Sequence, residues 1–218
     1  MTETLHIPLL LSTAYFPPLT YFVYLMRYDK VFVDIYETYP KQTWRNRCRI
    51  LSGNGPIDLT VPVEKPFGNH TKTHQVIISS HTRWQKIHWC SIESAYRNSP
   101  FFLFYRDMVK SLIFENSYSA LYELNNHILI TFCNELEIRK ELKFTEKFIQ
   151  ESPAFADLRF EISPKAKDRK QLNHLSFTPY YQVFSDRFGF QPDLSILDLL
   201  FNLGPDAKLY LEEVSKGN

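Results

Sequence analysis

Apolar runs of strand length alternate with helical-period stretches over the first third of the chain. Leu5 to Leu11 is a continuous apolar run, and Ser12-Thr13-Ala14-Tyr15-Phe16-Pro17-Pro18 breaks it, so it reads as a buried first strand. Proline in the first turn of a helix gives up no needed hydrogen bond, which places a helix start near Pro18. Tyr21, Tyr24, Leu25 and Tyr28 then form a stripe with helical spacing that ends near Asp29. Val31 to Tyr36 is a β-prone run and is expected to be a second central strand. Strand, turn, helix and strand together make a right-handed crossover.

The next segment carries a hairpin signal. Trp44 to Leu51 alternates, Ser52-Gly53-Asn54-Gly55-Pro56 turns, and Ile57, Leu59, Val61 and Val63 alternate back. Extended geometry from Trp44 onward would put Arg45, Arg47 and Arg49 on one face and Trp44, Asn46, Cys48 and Ile50 on the other. Glu64 to Lys72 reads as a polar loop and Gln75 to Ser79 as a short strand. Beyond it the pattern turns helical: Arg83 to about Asn98, Pro100 to about Phe114, and a longer helix to about Leu136 that Ser117 can cap. Leu142 to Phe160 has room for one or two strands, and Ser163 to Lys170 reads as an exposed basic loop. Asp193 or Ser195 caps a helix from Ile196 to Leu203, Gly204 turns the chain, and Pro205 opens a last short helix. The expected fold is α/β: a mixed central sheet built from the strand-turn-helix-strand unit plus the hairpin, followed by a mainly helical half. Residues 1–218 are expected to form a single domain, α/β-rich to about 80 and mainly helical from about 81.

Composition narrows the functional classes. With 25 basic and 24 acidic residues the net charge is +1, which lacks the strongly basic face that nucleic-acid binding uses. The apolar N-terminal run is too short for a membrane span and has Glu3, not a basic residue, ahead of it. Three widely spaced cysteines, Cys48, Cys90 and Cys133, with no CxxC, point to reduced thiols and a cytoplasmic location. Aromatic residues make up 16% of the chain, with 13 Tyr and 18 Phe, so tyrosine is available both for the core and for a cleft.

The richest chemistry lies between Asp34 and Cys48, at the end of a central strand, where open α/β sheets place their ligands. Tyr36, Glu37, Lys41, Trp44, Arg45, Asn46 and Arg47 supply a carboxylate, an ammonium, two guanidiniums, an amide and aromatic faces within that stretch. Arginine suits phosphate or carboxylate because its planar fork donates two parallel hydrogen bonds. The alternative is a solvated hairpin face with Glu37 paired to Lys41 or an arginine. The Pro17-Pro18 turn leaves helix N–H groups that could receive an anion, although neither GxGxxG nor GxxxxGK[ST] occurs. Trp84 and His88 share a helix face with Tyr96 further along. His88 is therefore either a general base or a structural histidine. His70, His74 and His81 lack the convergent partners a zinc site needs, so no metal is expected, and the cofactor is left open.

Several blocks taken together carry a family resemblance: Tyr15-Phe16-Pro17, Lys41-Gln42-Thr43-Trp44-Arg45-Asn46-Arg47, Thr60-Val61-Pro62-Val63, Trp84-Gln85-Lys86-Ile87-His88, Ser94 to Phe102 and Leu194 to Leu200. In order and spacing the chain resembles the WbqC-like family. It departs from the family pattern at Ser12-Thr13-Ala14, where members often carry Gln-Pro-Asn. The resemblance implies a cytosolic protein of bacterial surface-polysaccharide (O-antigen) or amino-sugar biosynthesis. The concrete reaction it suggests is transfer of an acyl or aminoacyl group to an amino sugar. The partners implied are a nucleotide-linked or activated sugar and an acyl-carrier-type protein as donor. A noncatalytic component binding a sugar or carrier protein is the alternative. In the enzymatic reading His88 and Lys41 are catalytic, while Tyr15, Tyr36, Glu37, Trp44, Arg45, Asn46, Arg47, Trp84 and Tyr96 bind substrate. This requires the arginine hairpin and the histidine helix to face a common cavity.

Overall fold

The computed structural model describes residues 7–114, 118–165, 172 and 175–217. Its centre is a four-stranded sheet of β1 (Leu9–Ser12), β2 (Lys30–Asp34), β7 (Glu141–Phe144) and β8 (Ala156–Asp157). The spatial order is β7-β2-β1-β8 and every pairing is parallel. In chain order of its strands this is 3-2-1-4, so the strand order reverses between β1 and β8. β1 is buried at all four positions, as its unbroken apolar sequence requires of a strand covered on both faces.

Helix α1 (Leu19–Arg27) follows β1 as expected, with Tyr21, Tyr24, Leu25 and Tyr28 all buried. Asp193 Oδ1 accepts from the Thr20 backbone N–H at 2.8 Å, so a carboxylate of the protein itself meets the start of this helix. That contact decides between the two expected caps further on. Asp193 serves α1, and the Ser195 hydroxyl accepts from Leu197 N to cap α6 (Ile196–Leu203).

The hairpin of β3 (Arg47–Ser52) and β4 (Gly55–Thr60) forms as read, but as its own antiparallel two-stranded sheet outside the central one. A second small pair is β5 (Val63–Glu64) with β6 (Ile77–Ile78). Alternation starts later than the sequence suggested. Trp44–Asn46 is a 3-10 turn, with all three residues buried, and only Arg47 begins the strand. Arg45 therefore does not share a face with Arg47 and Arg49. Those two reach across the hairpin to Asp58 instead.

The second half supplies α2 (Trp84–Tyr96), α3 (Phe102–Phe114), α4 (Leu121–Glu135), α5 (Ser185–Phe188), α6 and α7 (Ala207–Lys216). It also contributes both outer strands of the central sheet, the two that fall in Leu142 to Phe160. Ser117 lies outside the described residues, as does part of the basic segment after Ser163. One continuous apolar cluster unites both halves, running from Leu9 and Val31 through Trp84 and Phe132 to Leu211. Gly204, at φ +56°, turns the chain between α6 and α7. A Cβ there would sit 2.5 Å from the Phe101 ring, so this turn needs glycine for space as well as for backbone conformation.

Candidate functional site

Parallel strands carry their sequence-adjacent loops to one edge of the sheet. Four polar residues leave the carboxyl ends of the four strands: Ser12 from β1, Asp34 from β2, Thr145 after β7 and Asp157 from β8. Around them sits a buried ion-pair network. Arg159 binds Asp34 Oδ2 and also holds Asp157, with its Nε 2.9 Å from Asp157 Oδ1. Thr145 Oγ1 donates to Asp34 Oδ1 at 3.0 Å, and the Tyr36 N–H donates to the same oxygen at 2.8 Å. Arg45 Nη2 donates to the Arg159 carbonyl at 3.2 Å, which joins the 3-10 turn to the strand that ends in Asp157.

Glu37 sits next to this network. Its chain segment is fixed by Thr73 N donating to Glu37 O at 2.9 Å and His74 N donating to Ile35 O at 2.7 Å. Arg45 directs both Nε and Nη2 at one oxygen of the carboxylate, Oε1, each at 2.6 Å. The other oxygen, Oε2, is buried with no hydrogen-bond partner among the described residues. Burial pushes the Glu37 carboxyl up to about 7, against the opposing pull of Arg45. A carboxyl that binds and releases its proton near neutrality, with one oxygen unoccupied, is equipped for proton transfer.

Two phenylalanines lie over the guanidiniums. Phe160 stands 5.6 Å from the Arg45 guanidinium carbon and 5.8 Å from that of Arg159, and Phe148 is 5.2 Å from Arg159. Cation–π attraction fixes these rings, yet Phe148 is 46% exposed and Phe160 52%. Apolar rings left half in water over buried charges form a cover rather than a core. Beside β8, a cleft of about 630 Å³ is bordered by Asp157, by Tyr24 and Arg27 of α1 and by Tyr28 just after that helix.

The expected site residues fall into several environments. Glu37 and Arg45 come together in the network. Tyr36 lies beside it, half-buried, with its ring 4.4 Å from the ring of His74. Lys41 is exposed, and its carbonyl receives Lys165 Nζ at 3.3 Å. Arg47 keeps a loose pairing with Asp58 at 3.7 Å, and its Nε is without a partner among the described residues. Asn46 closes the turn through Nδ2 to the Val61 carbonyl at 2.9 Å. Trp44 lines a separate cavity together with Thr20 and Phe177.

Tyr15, Trp84 and His88 form a second group inside the core. His88 Nδ1 is 2.9 Å from the Tyr15 hydroxyl, Trp84 packs edge-on against the imidazole, and the ring also bonds the Thr60 carbonyl. Burial drives His88 down to about 4, so its imidazole is uncharged at neutral pH. Tyr96 packs on Phe201 in another part of the core. Arg45 thus stands in the charged network, whereas His88 bonds Thr60, the residue opposite Arg47 on the hairpin. Burial pushes the Cys48 thiol up as well, away from nucleophilic thiolate. No group of three metal-ligating side chains occurs among the described residues.

Arg159, Asp157, Thr145 and the two phenylalanines escaped the sequence reading. The strand that carries Asp157 is two residues long and has no alternation to see. Asp157-Leu158-Arg159 was the available signal, an acid and a base two residues apart at a strand end.

Fold and site together define an α/β protein with a parallel 3-2-1-4 sheet and a charged cluster at its carboxyl edge, the position where such sheets hold small molecules. The WbqC-like protein family model matches residues 13–175, and the chain belongs to that family. Over 225 residues it is 28% identical to the uncharacterized protein Rv1507c of Mycobacterium tuberculosis (strain ATCC 25618 / H37Rv), covering 93% of this chain and 96% of the relative. No solved structure matches it. Among the described residues no helix is long and apolar enough to cross a membrane.

Proposed function

We propose that this chain is a cytosolic transferase of surface-polysaccharide or amino-sugar biosynthesis. It moves an acyl or aminoacyl group onto the amine of a nucleotide-linked or otherwise activated amino sugar, at the carboxyl edge of the sheet. The observation that carries the reading is Glu37, with its unpartnered Oε2 and a proton affinity near neutrality. The sugar amine attacks the acyl carbonyl carbon, the new C–N bond forms, the bond to the donor's leaving group breaks, and Glu37 Oε2 takes the proton from nitrogen. In this reading the proton acceptor is Glu37 rather than His88. Arg47, with an unused N–H, and exposed Lys41 hold the anionic part of the substrate. Phe148 and Phe160 turn aside to admit the reacting groups and then exclude water.

A second reading, a noncatalytic binder of the sugar or of a carrier protein, is favoured by the burial of Asp34, Glu37 and Arg45. All three are 2% exposed or less, as suits a purely architectural network. One experiment separates them. Purified protein is incubated with activated acyl and aminoacyl donors and nucleotide-linked amino sugars, and products are followed by mass spectrometry. The transferase reading expects an acylated amino sugar, formed ~100-fold or more slowly by Glu37→Gln in protein whose fold is verified by circular dichroism. Thermal stabilisation by the sugar without product from any pair, or full activity in Glu37→Gln, overturns it.

A further inference from the structure

The segment 38–41 follows Glu37 directly, and lysines from two distant parts of the chain converge on it. Lys72 belongs to a stretch tied to this one by Tyr39 N donating to Thr71 O at 3.0 Å and Thr73 N to Glu37 O at 2.9 Å. That pairing sets Lys72 opposite Thr38, and its Nζ donates to the Thr38 hydroxyl at 3.0 Å. Lys165 lies 124 residues beyond Lys41, and its Nζ donates to the Lys41 carbonyl at 3.3 Å. Lys41 adds a third ammonium from the segment itself. It stands just before Gln42, whose φ of +59° puts a non-glycine residue in the left-handed region.

Like charges gathered in this way repel one another unless an anion joins them. Among the described residues no carboxylate stands within ion-pair distance of any of the three ammoniums. The carboxylates of the adjoining network face other cations: Glu37 meets Arg45, while Asp34 and Asp157 meet Arg159. An ammonium has three N–H donors, and Lys72 and Lys165 each spend one on the segment, at the protein surface. The other donors are left for a ligand. Both side chains are already tethered at their tips, which lowers the ordering cost of binding.

The cluster also borders the charged network. Lys72 Nζ is 5.9 Å from the Phe148 ring, the same ring that stands 5.2 Å from the Arg159 guanidinium carbon. An anion held by the lysines therefore lies beside the phenylalanine cover. The two docking points, Thr38 and Lys41, are three residues apart, up to ~10 Å in an extended chain. Two linked phosphoryl groups, each bearing charge, match such a pair of points better than one carboxylate does.

We infer that Lys41, Lys72 and Lys165 seat the diphosphate of a nucleoside-diphosphate-linked substrate, next to the Glu37 site. The inference deepens the transferase reading and rests on it for the sugar that the diphosphate carries. Its test reads binding alone and does not depend on turnover.

The full chain is titrated by isothermal calorimetry with inorganic pyrophosphate, with UDP and with uridine, the same nucleoside without phosphate. Saturable binding of pyrophosphate and UDP is expected, with uridine at least tenfold weaker than UDP. Lys72→Gln and Lys165→Gln, their folds verified by circular dichroism, should each weaken UDP about tenfold, the worth of one charge-assisted hydrogen bond. Lys208→Gln is the control, since that lysine of α7 pairs with Glu137, and it should leave UDP affinity unchanged. Absence of saturable binding of both phosphate compounds overturns the proposal. So does uridine binding as tightly as UDP, or unchanged UDP affinity in both folded lysine variants. Any of these results leaves the Glu37→Gln turnover test to stand by itself.

Discussion

Glu37 and His88 are both buried titratable side chains, and burial acts on them in opposite chemical senses. Removal from water penalises the charged form of each. For His88 the charged form is the protonated one, so its proton affinity falls to about 4. For Glu37 the charged form is the deprotonated one, so its affinity rises to about 7. The difference leaves Glu37 the stronger base of the two. His88 has its ring engaged by Tyr15 and Thr60, and burial disfavours its protonated form at neutral pH. The carboxylate, which an unperturbed value would leave ionised and weakly basic, is moved toward the useful range, and Arg45 leaves one of its oxygens open.

The largest expected effect that breaks this comparison is on turnover. Glu37→Gln removes the proton acceptor and should cost ~100-fold or more in kcat/KM, whereas His88→Gln, which can keep a hydrogen bond to Tyr15, should retain activity within about threefold. Equal losses in the two variants would erase the distinction. Next comes stability. Arg45→Met leaves Glu37 buried beside Asp34 without its cation and should lower unfolding free energy by ~3 kcal/mol or more, measured by urea denaturation. The double variant Glu37→Gln/Arg45→Met should recover part of that loss.

The pH dependence sharpens the comparison further. Glu37 binds its proton more tightly folded than unfolded, so its contribution to stability grows as pH falls through about 7 and saturates below the ordinary carboxylate range. His88 binds its proton less tightly folded, so its contribution is lost as pH falls from about 6.5 through about 4. Melting temperature should therefore rise from pH 8 to pH 6.5, and Glu37→Gln should remove that rise. His88→Gln should soften the decline at lower pH. Each term is on the order of 1–3 kcal/mol. The smallest effect concerns Asp198, which burial pushes up to about 6, against hydrogen bonds from Tyr180 and Gln182. It too favours the folded state as pH falls, and Asp198→Asn should flatten only the part of the curve between about 6 and 4.

Much of the fold was legible because its signals are local. The buried run at β1, the helical stripe of Tyr21, Tyr24, Leu25 and Tyr28, the turn at Gly53-Asn54 and the Ser195 cap each follow from a few neighbouring residues. The placement of Arg45 was not legible. Period-two reading extended the strand back to Trp44, but tertiary bonds from Tyr15 N to the Trp44 carbonyl at 2.9 Å and from Asn125 Nδ2 to the Arg45 carbonyl at 2.7 Å hold that segment as a turn. They point Arg45 inward. The candidate site was half legible: Asp34, Glu37 and Arg45 lie within one conspicuous stretch, while Arg159 arrives from more than a hundred residues away, just past a strand too short to announce itself. The Asp193 contact with α1 is of the same kind, since a partner distant in sequence fills the anion position that the Pro17-Pro18 turn suggested.

The central claim is that Glu37 exchanges its proton near neutrality inside a folded, buried site. Carbon-13 NMR of the glutamate side-chain carboxyls, with the Glu37 signal assigned by its loss in Glu37→Gln, follows that exchange directly. The account predicts a midpoint close to 7 in the native protein. A midpoint in the ordinary glutamate range, near 4.3, would contradict it.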